Sequence, residues 1–312
     1  MTRVLVTGAS GFIGRQVAQQ LARRGDEVHA TAHAGAPDMA GVQWHTCNLL
    51  QDGAAERVLS AVAPERLVHV AWYAKPRECW ESPANLAWTQ ASLELFSAFA
   101  AAGGRRAVLV GSVFEYDWSA GLCTEGVTPL TPTTLYGSCK AALSSLIIAA
   151  APRLDLSCAW ARVFWLYGPH EPGNRLVSSV IEGLLAGRPV AVTEGSQRRD
   201  YLHVSDVAGG LIALLDSDVT GPVNIGSGVG VPVRSICERI ADALQRPELL
   251  VVGGRQEAEP QPPLVVADVA RLTDEIGFSP DFDLDAGLQD AVDWWRTRSM
   301  SPALAPSVLS PT

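Results

Sequence analysis

Residues 3–14 read RVLVTGASGFIG, and this stretch decides the fold. Its first five residues predict a short buried strand, and a helical pattern follows from Gln16 to Arg24. Gly8, Gly11 and Gly14 lie in the turn between the two. Without side chains they let the backbone close tightly and approach a pyrophosphate, whose charge then lies on the amide groups of the helix N-terminus. The spacing differs from the G-x-G-x-x-G form, but the flanking strand and helix supply the context that such a turn requires.

Apolar strand-like runs alternate with helical stretches through the first half of the chain. Such alternation predicts an α/β fold, a doubly wound parallel sheet with helices on both faces. After Tyr167 the rhythm changes to shorter elements and loops that carry Pro and Gly, which predicts a smaller cap over the carboxyl ends of the strands. The further predicted strands run over Glu27 to Ala32, Leu67 to Ala71, Ala107 to Gly111 and Cys158 to Phe164.

Composition narrows the classes of partner. The 312 residues carry a formal net charge of -9, which argues against nucleic acid or an anionic membrane as the main partner. No apolar run approaches the roughly 18 residues of a membrane span, and no charged-then-apolar leader precedes the first strand, so we expect a cytoplasmic protein. The 6 cysteines are scattered without a paired spacing, so we expect reduced thiols and neither a disulfide framework nor a metal site.

A tyrosine and a lysine four residues apart, Tyr136 and Lys140, point to a specific chemistry. On a helix this spacing places both side chains on one face, so the ammonium can lower the pKa of the phenol and hold a ribose hydroxyl. We therefore expect Tyr136 to pass protons near neutral pH. Taken alone, the spacing also fits an ordinary pair on a solvated helix face.

Together these features resemble the extended short-chain dehydrogenase/reductases, the family of nucleotide-sugar epimerases, dehydratases and reductases. The resemblance runs from the Gly8 turn to Trp294-Trp295. It implies a Rossmann domain, a substrate-binding cap and a homodimer formed through two helices of the first lobe. The motifs that carry it beyond the turn are Gly111-Ser112, Tyr136 to Lys140, Arg162 to Pro169, Arg199 to Val207 and Asn224 to Gly228.

The resemblance assigns roles to three side chains. Ser112, at the end of the fourth predicted strand, hydrogen-bonds the substrate oxygen; Tyr136 gives or takes its proton; Lys140 orients the nicotinamide ribose. Without the other two, Ser112 would read as a strand-end serine that caps a turn. The dinucleotide is expected against Gly8, Ser10, Gly11, Phe12, Ile13, Gly14, Arg15, His33, Asn48, Leu49, Ala71, Tyr136 and Lys140.

The cofactor should be chosen at the end of the second strand. Enzymes that use NAD usually place an acidic residue there to accept the ribose hydroxyls, and this chain has Ala32. His33 and Arg15 could approach a 2′-phosphate, which favours NADP(H) and leaves NAD(H) open. The alternative is that both side chains are simply solvated. Asn48 stands where relatives commonly have an aspartate that reaches the adenine edge, and an amide can form similar hydrogen bonds.

Differences between this chain and the family pattern reduce the number of activities that the sequence is expected to support. Relatives that eliminate water carry an acidic pair after the catalytic hydroxyl, where this chain has Val113 and Phe114. Relatives that epimerise two carbons before reduction use a cysteine at the position of Phe114. The run Gly111 to Tyr116 resembles instead the Gly-Ser-x-x-Glu-Tyr pattern of simple 4-ketoreductases of deoxysugar nucleotides. The alternative is that Glu115 and Tyr116 merely shape the loop.

The expected substrate site combines arginines with aromatic rings. Arg199 resembles the family arginine that contacts a nucleotide diphosphate, with Arg255 as its partner and Arg175 as a weaker candidate. Trp165 replaces an asparagine of the relatives, so the sugar itself is left open. With Trp72, Trp80 and Trp88 it could form an aromatic wall against an apolar sugar face, although Trp80 and Trp88 fit a core between lobes equally well. The substrate is expected against Trp72, Ser112, Val113, Phe114, Trp165, Arg175, Arg199 and Arg255.

Three functions follow. The first is an NADP(H)-dependent ketoreductase of a nucleotide-linked 4-keto-6-deoxy sugar, with Tyr136 as the proton donor. The second is a 4-epimerase that keeps NAD bound. The third is a cofactor-sensing protein without turnover, against which the intact Ser112, Tyr136 and Lys140 speak. The predicted Rossmann domain comprises residues 1–166 and about 197–222, the cap 167–196 and 223–298, and a disordered tail 299–312.

Overall fold

The computed structural model describes residues 2–75, 78–257 and 261–300. The strands are β1 (Arg3–Thr7), β2 (Glu27–Ala32), β3 (Val42–Thr46), β4 (Arg66–His69), β5 (Arg106–Ser112), β6 (Leu122–Cys123), β7 (Ser157–Val163), β8 (Trp165–Tyr167), β9 (Val190–Val192), β10 (Arg198–His203), β11 (Gly221–Ile225), β12 (Gly230–Pro232), β13 (Leu250–Val252) and β14 (Leu264–Ala267). The α-helices are α1 (Phe12–Arg24), α2 (Ala54–Val62), α3 (Ala84–Ala101), α4 (Leu135–Ala150), α5 (Leu176–Leu185), α6 (Val204–Asp216), α7 (Val233–Ala243) and α8 (Leu284–Met300).

A seven-stranded parallel sheet forms the larger lobe, in the order β11-β7-β5-β4-β1-β2-β3. Helices α1 and α6 pack on one face, and α2, α3 and α4 pack on the other. The predicted doubly wound α/β sheet is confirmed. The prediction missed β3, so Ser112 ends the fifth strand rather than the fourth. Strand β3 is half exposed at the sheet edge and lacks the continuous apolar run of the central strands.

The glycine turn between β1 and α1 is closed by contacts that leave no room for side chains. Gly8 has a φ of +68°, and a Cβ there would lie 2.7 Å from Cα of Ala71. A Cβ on Gly14 would lie 2.3 Å from the carbonyl oxygen of Gly8. Helix α1 begins at Phe12, four residues before the predicted start, because the turn itself supplies its first residues. Glycine is therefore a steric requirement at both positions.

The smaller lobe is built from short strands and three helices. Strands β12, β10, β14 and β6 form a second sheet in which β8 also pairs with β10, and β13 pairs with β9. Helices α5, α7 and α8 share one apolar core. Strand β11 belongs to the main sheet up to Ile225, so it crosses the predicted domain boundary at 222. Helix α8 extends to Met300, and the rest of the predicted tail, 301–312, lies outside the described residues.

Helix α4 and the 3₁₀ turn after it form an apolar segment as long as a membrane span, although no such segment was expected from the sequence. The stretch Leu135–Leu154 is long and apolar enough, by length and composition, to cross a membrane. In the fold it packs against α3, β5 and β7, and it carries the buried Lys140. The apolar residues therefore serve as one face of the core in the larger lobe.

The ends of three central strands bring the predicted site together. Strand β1 leads into the Gly8 turn, β4 into Ala71 and Trp72, and β5 ends at Ser112. These strands are parallel neighbours, so their carboxyl ends lie at one edge of the sheet. This edge is where open α/β sheets bind ligands.

Candidate active site

Ser112 stands at the junction of β5 and the 3₁₀ turn Val113–Glu115. Its Oγ accepts a hydrogen bond from the backbone N–H of Phe114 at 3.3 Å, and its own N–H donates to Oε1 of Glu115 at 2.7 Å. This reciprocal capping box holds the residue in place. Ser112 thus caps a turn, as the alternative interpretation held. It also lines a cavity, described below, that we call the central cavity.

A buried ionic network lies beneath that turn. The carboxylate of Glu115 is fully buried and accepts hydrogen bonds from Nε of Arg162 at 2.7 Å and from Nε1 of Trp160 at 2.9 Å. Arg162 also donates to the hydroxyl of Tyr116 at 3.1 Å, and that hydroxyl donates to Asn224 at 2.8 Å. The interpretation that Glu115 and Tyr116 shape the loop is confirmed.

Tyr136 lies in the first turn of α4, and aromatic rings surround it. Its ring centroid is 5.4 Å from that of Trp80 and 6.1 Å from that of Phe114, both nearly perpendicular to it. Its N–H donates to the carbonyl oxygen of Trp80 at 2.9 Å. Burial raises the pKa of Tyr136 to about 12, and a hydrogen bond with Ser112 acts in the opposite direction. The phenol is therefore neutral over the physiological pH range.

Lys140 contacts a backbone carbonyl and an aromatic ring of the larger lobe. Its Nζ donates to the carbonyl oxygen of Val110 at 2.7 Å and lies 3.7 Å from the ring centroid of Trp72. Burial lowers its pKa to about 7, and the charge of Glu115 raises it. The expectation that Lys140 lowers the pKa of Tyr136 is wrong for this arrangement, because burial of the phenol dominates and the ammonium is engaged elsewhere.

A cavity of about 380 Å³ unites these groups. Trp80 lies in its wall, stacked on Phe114 with ring centroids 4.3 Å apart. Trp88 packs in the core against Trp72 instead. Trp80 and Trp88, which the sequence assigned equally well to a cavity wall or to the core, thus have different roles: Trp80 lies in the wall and Trp88 in the core. The polar and aromatic residues of the wall include Trp72, Trp80, Ser112, Phe114, Tyr136, Lys140, Trp165, Glu171, Asn174, Arg175 and Tyr201.

A second cavity, of about 240 Å³, adjoins the first. Both are lined by Asn174, Arg175 and Leu176, which lead into the start of α5. Arg234 and Arg255 also line the second cavity. Three guanidinium groups around one cavity suit phosphate oxygens. Arg175 and Arg255 were predicted from the sequence, whereas Arg234 was missed.

Arg199 is not brought to either cavity in the part of the chain that the structure describes. It is 4% exposed, and its Nη1 donates to the carbonyl oxygens of Arg198 and Pro262, both at 2.9 Å. Its guanidinium lies 5.3 Å from the ring centroid of Trp165. Backbone carbonyls thus engage the buried guanidinium, and among the described residues Arg199 and Arg255 line no common cavity. Its neighbour Asp200 accepts hydrogen bonds from the N–H groups of residues 227, 228 and 267, so it orders the loops around it.

The residues predicted to hold the dinucleotide are only partly assembled. Gly8 and Gly14 pack against the backbone of Ala71 and of Gly8, so the turn closes tightly before the N-terminus of α1, where a pyrophosphate is expected. Asn48 accepts from the N–H of Leu50 at 3.1 Å and shapes its own turn, while Leu49 is buried in the core. His33 is exposed just after β2.

The charge of Arg15 acts on His170, in the loop after β8. Burial lowers the pKa of His170 to about 4, and the charges of Arg15 and Arg298 contribute to this shift. The sequence pattern placed Arg15 near the phosphate groups, but its neighbours from the cap were missed.

Glu171 is a further residue that the sequence interpretation missed. It is 5% exposed and lies in the wall of the central cavity. The signal that could have found it is an acidic residue between Pro169 and Pro172, directly after the motif Arg162 to Pro169.

Comparisons with known proteins agree with this geometry. The sequence model of the NAD dependent epimerase/dehydratase family matches residues 4–226. A UDP-glucose 4-epimerase of Streptomyces lividans is 26% identical over 94% of this chain and 95% of its own length. A dTDP-6-deoxy-L-talose 4-dehydrogenase (NAD(P)(+)) of Kitasatospora kifunensis is 24% identical over 96% of both chains. The solved structure of MoeE5 in complex with UDP-glucuronic acid and NAD is 28% identical, with a TM-score of 0.83 over 95% of this chain and 99% of that one.

Proposed function

Since the chain belongs to the NAD dependent epimerase/dehydratase family, the extended short-chain dehydrogenase/reductases, we propose that this oxidoreductase is a ketoreductase of a nucleotide-linked 4-keto-6-deoxy sugar. One observation carries the proposal. Ser112, Tyr136 and Lys140 line a cavity that shares Arg175 with a second, arginine-lined cavity. The first cavity has the groups for proton transfer to a sugar oxygen, and the second has the charges for a diphosphate.

Each reacting side chain has one task in this proposal. Tyr136, neutral because of its burial, donates its proton to the sugar oxygen as the carbonyl is reduced. Ser112, held by its capping box, donates a hydrogen bond to the same oxygen. Lys140 lies between the carbonyl of Val110 and the ring of Trp72, where it can orient a ribose hydroxyl. The bound nicotinamide supplies the hydride.

The wall of the cavity supports a deoxygenated sugar. Phe114 stacks on Trp80, and Trp165 lies 6.2 Å from Phe114 between ring centroids. These rings cover an apolar sugar face well and offer few partners for ring hydroxyls. Val113 and Phe114 also occupy the positions where relatives that eliminate water carry an acidic pair and relatives that epimerise two carbons carry a cysteine. The wall therefore favours simple reduction at a carbonyl.

A 4-epimerase is the second candidate, and the similarity to the Streptomyces lividans UDP-glucose 4-epimerase favours it. Such an enzyme would oxidise the sugar and return the hydride to its other face with the same three side chains. The two functions differ in redox balance. We would follow nicotinamide absorbance and sugar product together. A ketoreductase oxidises one reduced nicotinamide per product, whereas product formation without net absorbance change would establish the epimerase instead.

We place NADP(H) ahead of NAD(H) as part of the proposal. Ala32 at the end of β2 leaves room for a 2′-phosphate, and His33 next to it is exposed. The Kitasatospora relative is named for both cofactors, and MoeE5 was solved with NAD. Calorimetric titration of NADPH and NADH should give tighter binding of NADPH. A clear preference for NADH would refute this reading of Ala32.

We also propose a cytoplasmic homodimer. The apolar face between α3 and α4 exposes Leu86 at 59%, and Leu93, Leu135 and Ala142 line the same groove. An exposed apolar patch of this kind favours association. The six cysteines are unpaired, which suits a reducing compartment.

A further inference from the structure

We propose that Glu171 binds a hydrogen-bond donor of the sugar, a hydroxyl or an amino group, and so determines which sugars the cavity accepts. This inference rests on the proposed function, because it assigns the sugar to the cavity that holds Ser112 and Tyr136. No motif of the sequence analysis contains Glu171, which follows the motif Arg162 to Pro169 by two residues.

The loop after β8 turns sharply to bring Glu171 into the cavity wall. Gly168 has a φ of +142° and His170 a φ of +70°. The N–H of Glu171 donates to the carbonyl oxygen of Gly168 at 3.2 Å, which closes the turn. A positive φ is uncommon outside glycine, and backbone strain of this kind concentrates at functional sites. The ring of His170 packs against that of Trp294 at a tilt of 51°, with centroids 4.7 Å apart, and this contact holds the strained residue in place.

The carboxylate is anchored on one side. Its Oε2 accepts a hydrogen bond from the N–H of Ser178, in the first turn of α5, at 2.9 Å. The hydroxyl of Ser178 donates to the carbonyl oxygen of Pro172 at 2.6 Å, which ties the loop to the same helix. Glu171 therefore has a defined position, as a group that selects a substrate requires.

In the described part of the chain, Ser178 alone supplies hydrogen-bond donors to this carboxylate. Among the described residues, it forms no ion pair within 4.0 Å with a basic side chain. An ionised carboxylate accepts through two oxygens, and a buried one with few donors carries a high desolvation cost. Burial accordingly raises the pKa of Glu171 to about 7, although the charge of Arg175 lowers it. A hydroxyl or amino group of the sugar would supply the missing donor.

The surroundings make this carboxylate selective. Tyr201 and Trp165, whose ring centroids are 6.5 Å apart, line the same cavity as Glu171. Apolar rings accept a bare sugar face but cannot distinguish one hydroxyl from another, whereas an anchored acceptor can. Asn174 and Arg175, which the two cavities share, then lead from the sugar to the arginine-lined cavity.

Calorimetry with UDP and UDP-glucose separates the sugar contact from the nucleotide contact. Each compound would be titrated, in the presence of NAD, into three proteins: the wild type, Glu171→Leu and Glu171→Gln. Glu171→Leu should weaken UDP-glucose binding by about tenfold or more and leave UDP binding unchanged, because only the sugar loses a hydrogen-bond acceptor. Glu171→Gln should lose less, since an amide oxygen still accepts. Glu182→Gln, on helix α5 and outside the lining of both cavities, is the control and should bind both compounds like the wild type.

UDP-glucosamine distinguishes an amino group from a hydroxyl. If Glu171 pairs with an ammonium, Glu171→Gln should reduce UDP-glucosamine affinity much more than UDP-glucose affinity. Equal losses for UDP and UDP-glucose in Glu171→Leu would show a structural role and overturn the proposal. A wild type that binds UDP-glucose no more tightly than UDP would overturn it as well. A different result would contradict the proposed function: a wild type that binds these sugar nucleotides but neither oxidises, reduces nor epimerises any of them.

Discussion

Tyr136 and Lys140 respond to burial in opposite directions. Burial raises the pKa of the phenol to about 12 and lowers that of the ammonium to about 7. Both changes favour the neutral form, because a poorly solvated site penalises charge. At the residue scale, the site thus holds a phenol that retains its proton and a lysine that can lose its charge near neutral pH.

Replacement of Tyr136 tests its role as the proton donor. Tyr136→Phe should lose about 10²- to 10⁴-fold in turnover, the usual contribution of a positioned acid, while still binding NADPH. Steady-state rates and calorimetry measure the two effects. Ser138→Ala, on an exposed part of the same helix, is the control. Unchanged turnover in Tyr136→Phe would remove the residue from the mechanism, and an unchanged cellular product would revive the sensor hypothesis.

The ion pair of Glu115 and Arg162 offers a second test at this scale. Both side chains are at most 3% exposed, so Glu115→Gln leaves the guanidinium buried without a counter-charge. The free energy of unfolding should fall by about 3–5 kcal/mol, as is usual when one partner of a buried pair is removed. Urea denaturation measures the loss.

An exposed pair provides the comparison. Arg234 and Glu238 form an ion pair with both side chains more than 40% exposed. Glu238→Gln should change the free energy of unfolding by less than about 1 kcal/mol. If Glu115→Gln proves as mild as this control, the buried network does not stabilise the turn at Ser112.

His69 ties three elements of the larger lobe together. Its Nδ1 lies 2.7 Å from Oγ1 of Thr7 on β1, and its Nε2 lies 2.8 Å from Oγ of Ser92 on α3. Burial lowers its pKa to about 3, and the charge of Lys140 contributes to the shift. At the element scale, the junction of β1, β4 and α3 thus depends on a histidine that stays neutral.

This junction predicts how stability changes with pH. In the unfolded chain His69 takes up a proton near pH 6.5, whereas the folded protein excludes that proton until about pH 3. Its contribution to stability is present above about pH 6.5 and falls by about 1.4 kcal/mol per pH unit below it. The difference in unfolding free energy between the wild type and His69→Gln should therefore narrow between about pH 6.5 and pH 5, as urea denaturation can measure. A difference that stays constant would contradict the assignment; the exposed His33→Gln should differ little from the wild type throughout.

At the scale of the whole molecule, the site is completed across the two lobes. The larger lobe supplies Ser112, Tyr136 and Lys140, and the loop that leads into α5 supplies Glu171 and Arg175. The larger lobe also exposes the apolar groove between α3 and α4. The proposed dimer would cover this groove and leave the cavities open.

The dimer has a direct test. Leu86→Lys introduces a charge into the groove and should shift the protein towards the monomer in sedimentation equilibrium, because a buried ammonium without a partner is unfavourable. Val127→Lys alters another exposed apolar residue, 76% exposed and outside the groove lining, and should leave the mass unchanged. A wild type that sediments as a monomer would refute the proposal.

Local patterns in the sequence predicted much of the framework. The strand, turn and helix around Gly8 could be read because steric limits on glycine and apolar periodicity act within a few residues. The spacing of Tyr136 and Lys140 placed both on α4 for the same reason. Strand β3 was not predicted, because an edge strand needs no continuous apolar run.

What the sequence determined by itself is therefore the doubly wound sheet, the glycine turn and the placement of Tyr136 and Lys140 on one helix. The tertiary structure decided the partners of these groups. It turned Lys140 to Val110, thirty residues away in the chain, satisfied Arg199 with backbone carbonyls, and brought Glu171 into the cavity. The physical reason is that desolvation and ion pairing depend on which distant elements meet around a side chain, and no local spacing records that.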